Sequence, residues 1–114
     1  MSDIFISIVS PVYNAEKIID ELILRLTIAL SKITSNYEII LVDDGSTDMS
    51  GAICDRYTTL DARIKVIHKQ NEGLGFARNT GLEVAQGKFV TFIDSDDMAD
   101  ADLVEKLVNG LYEE

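Results

Sequence analysis

Short runs dense in β-branched and aliphatic residues alternate along the chain with longer stretches whose apolar residues recur every three or four positions. The runs are IFISIVS at 4–10, which reads as a buried strand, and YEIILV at 37–42, IKVIHK at 64–69 and KFVTFI at 88–93, which read as three further strands. Between the first two, Ile18, Ile19, Leu22, Leu26, Ala29, Leu30 and Ile33 fall on one face of a helix spanning 16–33. A weaker helix is predicted over 49–60 and a third over 74–85, followed by QGK, where Gly87 suits the left-handed position after a helix. Residues 101–114 predict a closing helix, with no fifth strand. This β-α-β-α-β-α-β-α order predicts an α/β fold: a mostly parallel sheet with helices on both faces, its crossovers right-handed.

The segments that leave the strands differ from those that enter them. PVYNAE, DDGSTD, QNEGLG and DSDDMAD leave carboxyl ends and are rich in functional groups, whereas TSN, LDAR and QGK enter strands and read as plain connectors. In open parallel sheets ligands bind beside the strand carboxyl ends. The unusual chemistry therefore lies on the edge where such a fold binds things.

Composition narrows function more than fold. A length of 114 residues, 46% of them hydrophobic, suits one domain with a real core, and no repeat or linker-like tract interrupts it. The formal charge of −10 argues against nucleic acid and makes a phosphate-bearing ligand awkward unless a cation mediates. No stretch has the length of a transmembrane span, and residues 4–9 lack the basic flank of a signal peptide. The single cysteine, Cys54, cannot form an internal disulfide; it fits a reducing compartment and reads as a small, half-buried helix residue.

Three constellations carry candidate chemistry. Asp43 and Asp44 close the second strand. Turn chemistry accounts for Gly45, and Thr47 or Asp48 could cap the next helix, but neither accounts for a second adjacent carboxylate. Such an acid can accept hydrogen bonds from a base N–H or ribose hydroxyls. NEGLGFARNTG fails the G-x-G-x-x-G pattern, because Arg78 stands where the third glycine should be and the segment follows the third strand. A glycine-opened helix still offers N–H groups to an anion, and Arg78 could face phosphate, or instead pair with Glu83 or another acid. Asp94, Asp96 and Asp97 crowd together after the fourth strand, where hard oxygen ligands would suit Mg²⁺ or Mn²⁺; the alternative is a solvated acidic loop. His68, the sole histidine, has no ligand-spaced partner and reads as structural or superficial.

Together, SIVSPVYNAE, YEIILVDDGSTD, NEGLGFARNTGL and GKFVTFIDSDD resemble the nucleotide-sugar half of the family 2 glycosyltransferases, which have the Rossmann-like GT-A fold. The resemblance runs from about residue 4 to residue 103, with all four blocks in order. It implies that Pro11, Tyr13 and Glu16 border the nucleoside and that Asp43 reads the base, usually uracil, with Asp44 beside it. It further implies that Arg78 lies near the nucleotide and that Asp94-Ser95-Asp96 is the DXD motif. Asp94 would contact the ribose or a metal-bound water, Asp96 would bind Mn²⁺ or Mg²⁺, and Asp97 would share that task.

The activity so implied is metal-dependent, inverting transfer from a nucleoside-diphosphate sugar, typically UDP-linked, to a hydroxyl of an acceptor glycan or lipid-linked saccharide in polysaccharide biosynthesis. In the family, the acceptor-binding half and its general base lie downstream of the DXD segment. Residues 1–114 are therefore read as a single donor-binding domain, a fragment inactive alone, with the base expected beyond Glu114 and a bare face open to self-association. The resemblance also implies a cytoplasmic setting, peripheral to the inner face of a membrane. Two other classes share some features. A receiver-type phospho-acceptor domain matches in length and acidity but wants its acid pair after the first strand; a nucleotide-binding module without transfer activity is the other.

Overall fold

The computed structural model describes residues 4–94 and the backbone of residues 112–113. Strands β1 (Ile6–Val12), β2 (Tyr37–Asp44), β3 (Ile64–Lys69) and β4 (Phe89–Phe92) form a parallel sheet in the order β3-β2-β1-β4. Between them run α1 (Ile19–Ser31), α2 (Ser50–Leu60) and α3 (Leu74–Val84). The predicted α/β architecture is therefore present, with corrections at the edges.

Two strands run further than their apolar cores. β1 continues through Pro11 and Val12, and β2 through Asp43 and Asp44, because the neighbouring backbone extends the ladder: Val12 sits opposite Asp43, Asp43 opposite His68, and Asp44 opposite Lys69. The expected closing helix lies outside the described residues except at Tyr112–Glu113. That pair forms a short antiparallel β5 against Val90 and Phe89 of β4, so the sheet does have a fifth strand. An open edge of unpaired backbone groups explains the pairing, which periodicity at the chain end does not reveal.

Side-chain alternation divides the sheet into two faces. Ile6, Ile8, Ile39, Leu41 and Ile64 pack with Ile19, Leu22, Leu26 and Leu30 of α1 and with Cys54 of α2. Val9, Ile40, Val42 and Val90 pack on the other face with Ala77 of α3. Cys54 is wholly buried rather than half-buried, and that burial, with Asp43 nearby, pushes its thiol up to about 12. A Cβ on Gly81 would overlap the Val9 side chain, so a glycine there lets α3 lie against β1.

Gly87 is also corrected. It is not among the residues of positive φ. Its hydrogen-only side chain instead permits close approach, since a Cβ would fall 2.6 Å from Ser7 Oγ, the oxygen that accepts the Gly87 N–H at 2.8 Å. The connector QGK is thus no plain linker. Gln86 N–H donates to buried Glu38 at 2.6 Å, Ser7 Oγ donates to the same oxygen, and Lys65 Nζ lies 2.6 Å from the other.

The order β3-β2-β1-β4 has a functional consequence. After β3 the chain reverses: α1 and α2 cover one face, whereas α3 crosses the other to deliver β4 beside β1. β1 and β4 therefore flank the switch point, where sheets of this kind open a crevice and bind ligands. Pro11 fits this opening. Val9 O accepts from Ile93 N at the end of the β4 ladder. Two residues on, Pro11 turns its missing donor to the same side, where β4 no longer runs alongside.

Candidate functional site

Three loops meet at the carboxyl edge, and hydrogen bonds lock two of them. In the loop after β1, Tyr13 is exposed and Asn14 takes a left-handed φ of 47°. Asn14 Oδ1 accepts Thr47 N–H at 2.8 Å, Asn14 N–H donates to Ser46 Oγ at 3.0 Å, and Ala15 N–H donates to Ser50 Oγ at 2.8 Å. Glu16 N–H donates to Asp48 Oδ2 at 3.3 Å, while Met49 N–H donates to Glu16 Oε2 at 3.0 Å. Asp48 Oδ1 accepts Ser50 N–H at 2.9 Å, and its bonds with Ser50 hold its carboxyl below the usual range. The start of α2 is thus capped jointly by Asp48, as its residue type predicted, and by Glu16 from a different loop. A small cleft of about 190 Å³ lies between these loops, lined by Asn14 to Ile18 and Asp48.

Asp43 and Asp44 point to opposite faces of the sheet. On the α2 face, Asp43 Oδ1 accepts Ser46 N–H at 3.1 Å and Oδ2 lies 2.9 Å from His68 Nδ1. On the α3 face, Asp44 accepts Glu72 N–H and Gly73 N–H at 3.0 Å each, with Lys69 Nζ at 3.4 Å. The amides that open the glycine-rich segment are therefore spent on Asp44, which clasps that segment to β2. Both acids are nearly inaccessible, at 6% and 2%. The puzzle of adjacent carboxylates has a geometric answer: strand alternation separates their charges and gives each its own partners.

Arg78, on α3, donates from Nη2 to Asp94 Oδ2 at 2.8 Å, and both side chains are about a third exposed. Its acidic partner is thus Asp94, at the crevice, rather than Glu83. Pro11 is buried at the end of β1. The structure brings Pro11, Tyr13, Glu16, Asp43, Asp44, Arg78 and Asp94 to one edge of the sheet; Asp96 and Asp97 lie outside the described residues. Among the described residues no group of three or more His, Cys, Asp or Glu side chains is poised to share a metal ion. The oxygen chemistry of the acids after β4 nevertheless fits a hard divalent cation.

Sequence spacing undervalues His68, which has no ligand-spaced neighbours along the chain. Its Nδ1 faces Asp43, and its Nε2 lies 2.8 Å from Asp55 Oδ1. These carboxylates, Asp55 first and then Asp43, raise the imidazole above its ordinary range. The one available signal was register: in a parallel pair, the residue opposite the first acid at the end of β2 is His68.

Comparison with known proteins accords with this geometry. The sequence signature of Glycosyl transferase family 2 matches residues 7–114. Glycosyltransferase GlyG of Streptococcus pneumoniae is 42% identical over 109 residues, covering 95% of this chain and 35% of that protein. The structure of S. aureus TarS in complex with UDP-GlcNAc superposes with a TM-score of 0.72 at 35% identity, covering 93% of this chain and 30% of that one. Glucosyl-3-phosphoglycerate synthase of Mycobacterium tuberculosis, solved with Mn²⁺, UDP-glucose and phosphoglyceric acid, superposes at 0.63 with 25% identity, covering 82% and 34%. The chain spans between 15% and 42% of the length of the curated relatives it matches. No helix among the described residues is long and apolar enough to cross a membrane. With the described candidate residues at the carboxyl edge of a parallel α/β sheet, and the family signature spanning nearly its whole length, the chain belongs to glycosyl transferase family 2.

Proposed function

We propose that these 114 residues form the donor-binding part of a metal-dependent, inverting glycosyltransferase that uses a UDP-linked sugar. The observation that carries this reading is the gathering of seven candidate residues at the carboxyl edge of the sheet, around the switch point between β1 and β4. The UDP-sugar complexes of TarS and of the mycobacterial synthase support it.

On this reading Asp43, held in place by Ser46 N–H and His68, accepts the N–H of the base. Tyr13 and the locked loop after β1 border the nucleoside. Asp94, oriented by Arg78, accepts from ribose hydroxyls, and Arg78 adds positive charge near the phosphates. Asp96 and Asp97 would hold Mn²⁺ or Mg²⁺, which when bound supplies Lewis-acid stabilisation of the departing diphosphate. A base outside these residues takes the acceptor's proton. The acceptor oxygen then bonds to the anomeric carbon as the bond to the diphosphate breaks, its electron pair leaving on the nucleotide and the configuration inverting. The acceptor would be a glycan or lipid-linked saccharide at the inner face of a membrane.

Calorimetry with UDP and Mn²⁺ tests the donor half of this reading. Binding should require the ion and disappear in Asp96→Ala. A folded chain that takes up no nucleotide under those conditions refutes it.

A further inference from the structure

Asp43, His68 and Asp55 form a hydrogen-bonded array of three titratable side chains, with Asp55 at its exposed end. Its imidazole has a carboxylate oxygen at each nitrogen, 2.9 Å to Asp43 and 2.8 Å to Asp55. A neutral imidazole has one N–H, so it can donate to only one of them and must turn a lone pair towards the other. Only the imidazolium satisfies both. The space for the pair comes from Gly51 in the first turn of α2, where a Cβ would sit 2.8 Å from Asp43 Oδ2 and 3.3 Å from His68 Cε1. Among the described residues the ring is held from two elements: Asp43 from β2 and Asp55 from α2, with the α2 backbone at Gly51 beside it. Lys65 and Lys69, the two lysines of β3, project to the opposite face and pair with Glu38 and with Asp44 and Glu72.

From this geometry we propose that His68 is a positioning residue for the nucleoside: anchored to Asp55, it orients the Asp43 carboxylate that receives the base and places one positive charge at the mouth of the donor site. The proposal rests on the donor-site reading above. Asp43 is almost buried and fixed at both oxygens, whereas His68 is half exposed and Asp55 more so, which makes this pair the adjustable end of the array. In a chain of formal charge −10, a cation beside the base-reading acid also lessens repulsion of a diphosphate. Loss of the proton removes that charge and leaves one contact unsatisfied, so UDP affinity falls as the pH rises through the titration of His68.

Since His68 is the only histidine, its ring resonances report the titration directly, and binding must shift that titration reciprocally. The experiment is UDP binding with Mg²⁺ from pH 5.5 to 9, for the wild-type chain, His68→Gln and Asp55→Asn, with the imidazole followed by NMR. The wild-type-to-variant affinity ratio cancels the nucleotide's own titration. His68→Gln should weaken UDP about tenfold at pH 6 and progressively less above the wild-type midpoint, the loss expected for one charge-assisted contact. UDP should move the His68 midpoint upward by about one pH unit, the linkage equivalent of that tenfold change. Asp55→Asn, which touches no nucleotide, should lower the midpoint and weaken UDP in the same direction.

If UDP binds and is lost in Asp43→Asn, but the His68 midpoint is the same with and without nucleotide, the positioning role is overturned and the donor-site reading stands. If the folded wild-type chain binds no UDP at any pH, both fall. Should His68→Gln not fold, the wild-type midpoint shift and Asp55→Asn decide alone.

Discussion

Arg78 Nη2 donates to Asp94 Oδ2 across 2.8 Å, tying the helix after β3 to the acid that follows β4. The two residues stand sixteen positions apart and belong to different sequence blocks, yet they meet at the crevice between β1 and β4. The pair is about a third exposed, so it contributes little to stability, on the order of 1 kcal/mol or less. Asp94→Asn should therefore leave the melting temperature nearly unchanged while weakening UDP binding at least about tenfold, the worth of one charge-assisted contact. Arg78→Lys should not restore wild-type affinity, because an ammonium lacks the planar fork of the guanidinium. Melting curves beside calorimetry separate the two effects, and a large loss of stability in Asp94→Asn would contradict them.

Asp44 gives the opposite balance. Its carboxylate accepts the amides of Glu72 and Gly73 and is 2% exposed. Asp44→Ala leaves two N–H groups without their acceptor and should cost about 2–3 kcal/mol. Hydrogen exchange should accelerate at Glu72 and Gly73 more than in the β1–β2 ladder. Uniform acceleration would mean that Asp44 does not act as a local clasp.

The buried cluster at the other end of the sheet makes a prediction about acid. Burial favours protonation of Glu38, but the Gln86 N–H, Lys65 and Ser7 outweigh it, and its carboxyl lies below the ordinary range. A depressed folded value means the stabilisation is present above the unfolded value and lost as pH falls through the folded one. His68 has the reverse sign: its raised folded value stabilises below the ordinary histidine range and is lost as pH rises through the folded value. Denaturant titrations should show Glu38→Gln flattening the acid limb and His68→Gln flattening the neutral-to-alkaline limb. The His68 effect, being half exposed, should also shrink in about 1 M salt. Interchanged limbs would refute both assignments.

Two glycines of α3 should respond in opposite directions. Gly81→Ala drives a methyl into Val9 and should cost about 1–3 kcal/mol. A Cβ on Gly75 would meet nothing within 4 Å, and the residue has no positive φ, so Gly75→Ala should be neutral or stabilise by about 0.5 kcal/mol. Equal effects at both positions would show that α3 does not pack on β1 through Gly81.

The layered α/β plan was legible because it depends on local periodicity. Ile6 to Ser10 is a run that only a strand buries well, Ile64 to Lys69 is a short β-branched run of the same kind, and the Ile19 to Leu30 stripe has one helical face. Asp43 and Asp44 at the end of β2, and Asp94 after β4, were legible for the same reason, since a strand's end sets its last residues at the carboxyl edge. Strand order and pairing were not, because they depend on which distant backbone comes alongside. Only the folded sheet sets His68 opposite Asp43, turns Asp44 to the α3 face and sends Glu16 to cap a helix begun in another loop. Only it reveals that Gly87 makes room for Ser7 and that Tyr112–Glu113 close an edge of the sheet. Residue type and spacing determine which groups reach the site; long-range register decides which of them touch, because hydrogen bonds and charges act over a few ångströms that sequence distance does not measure.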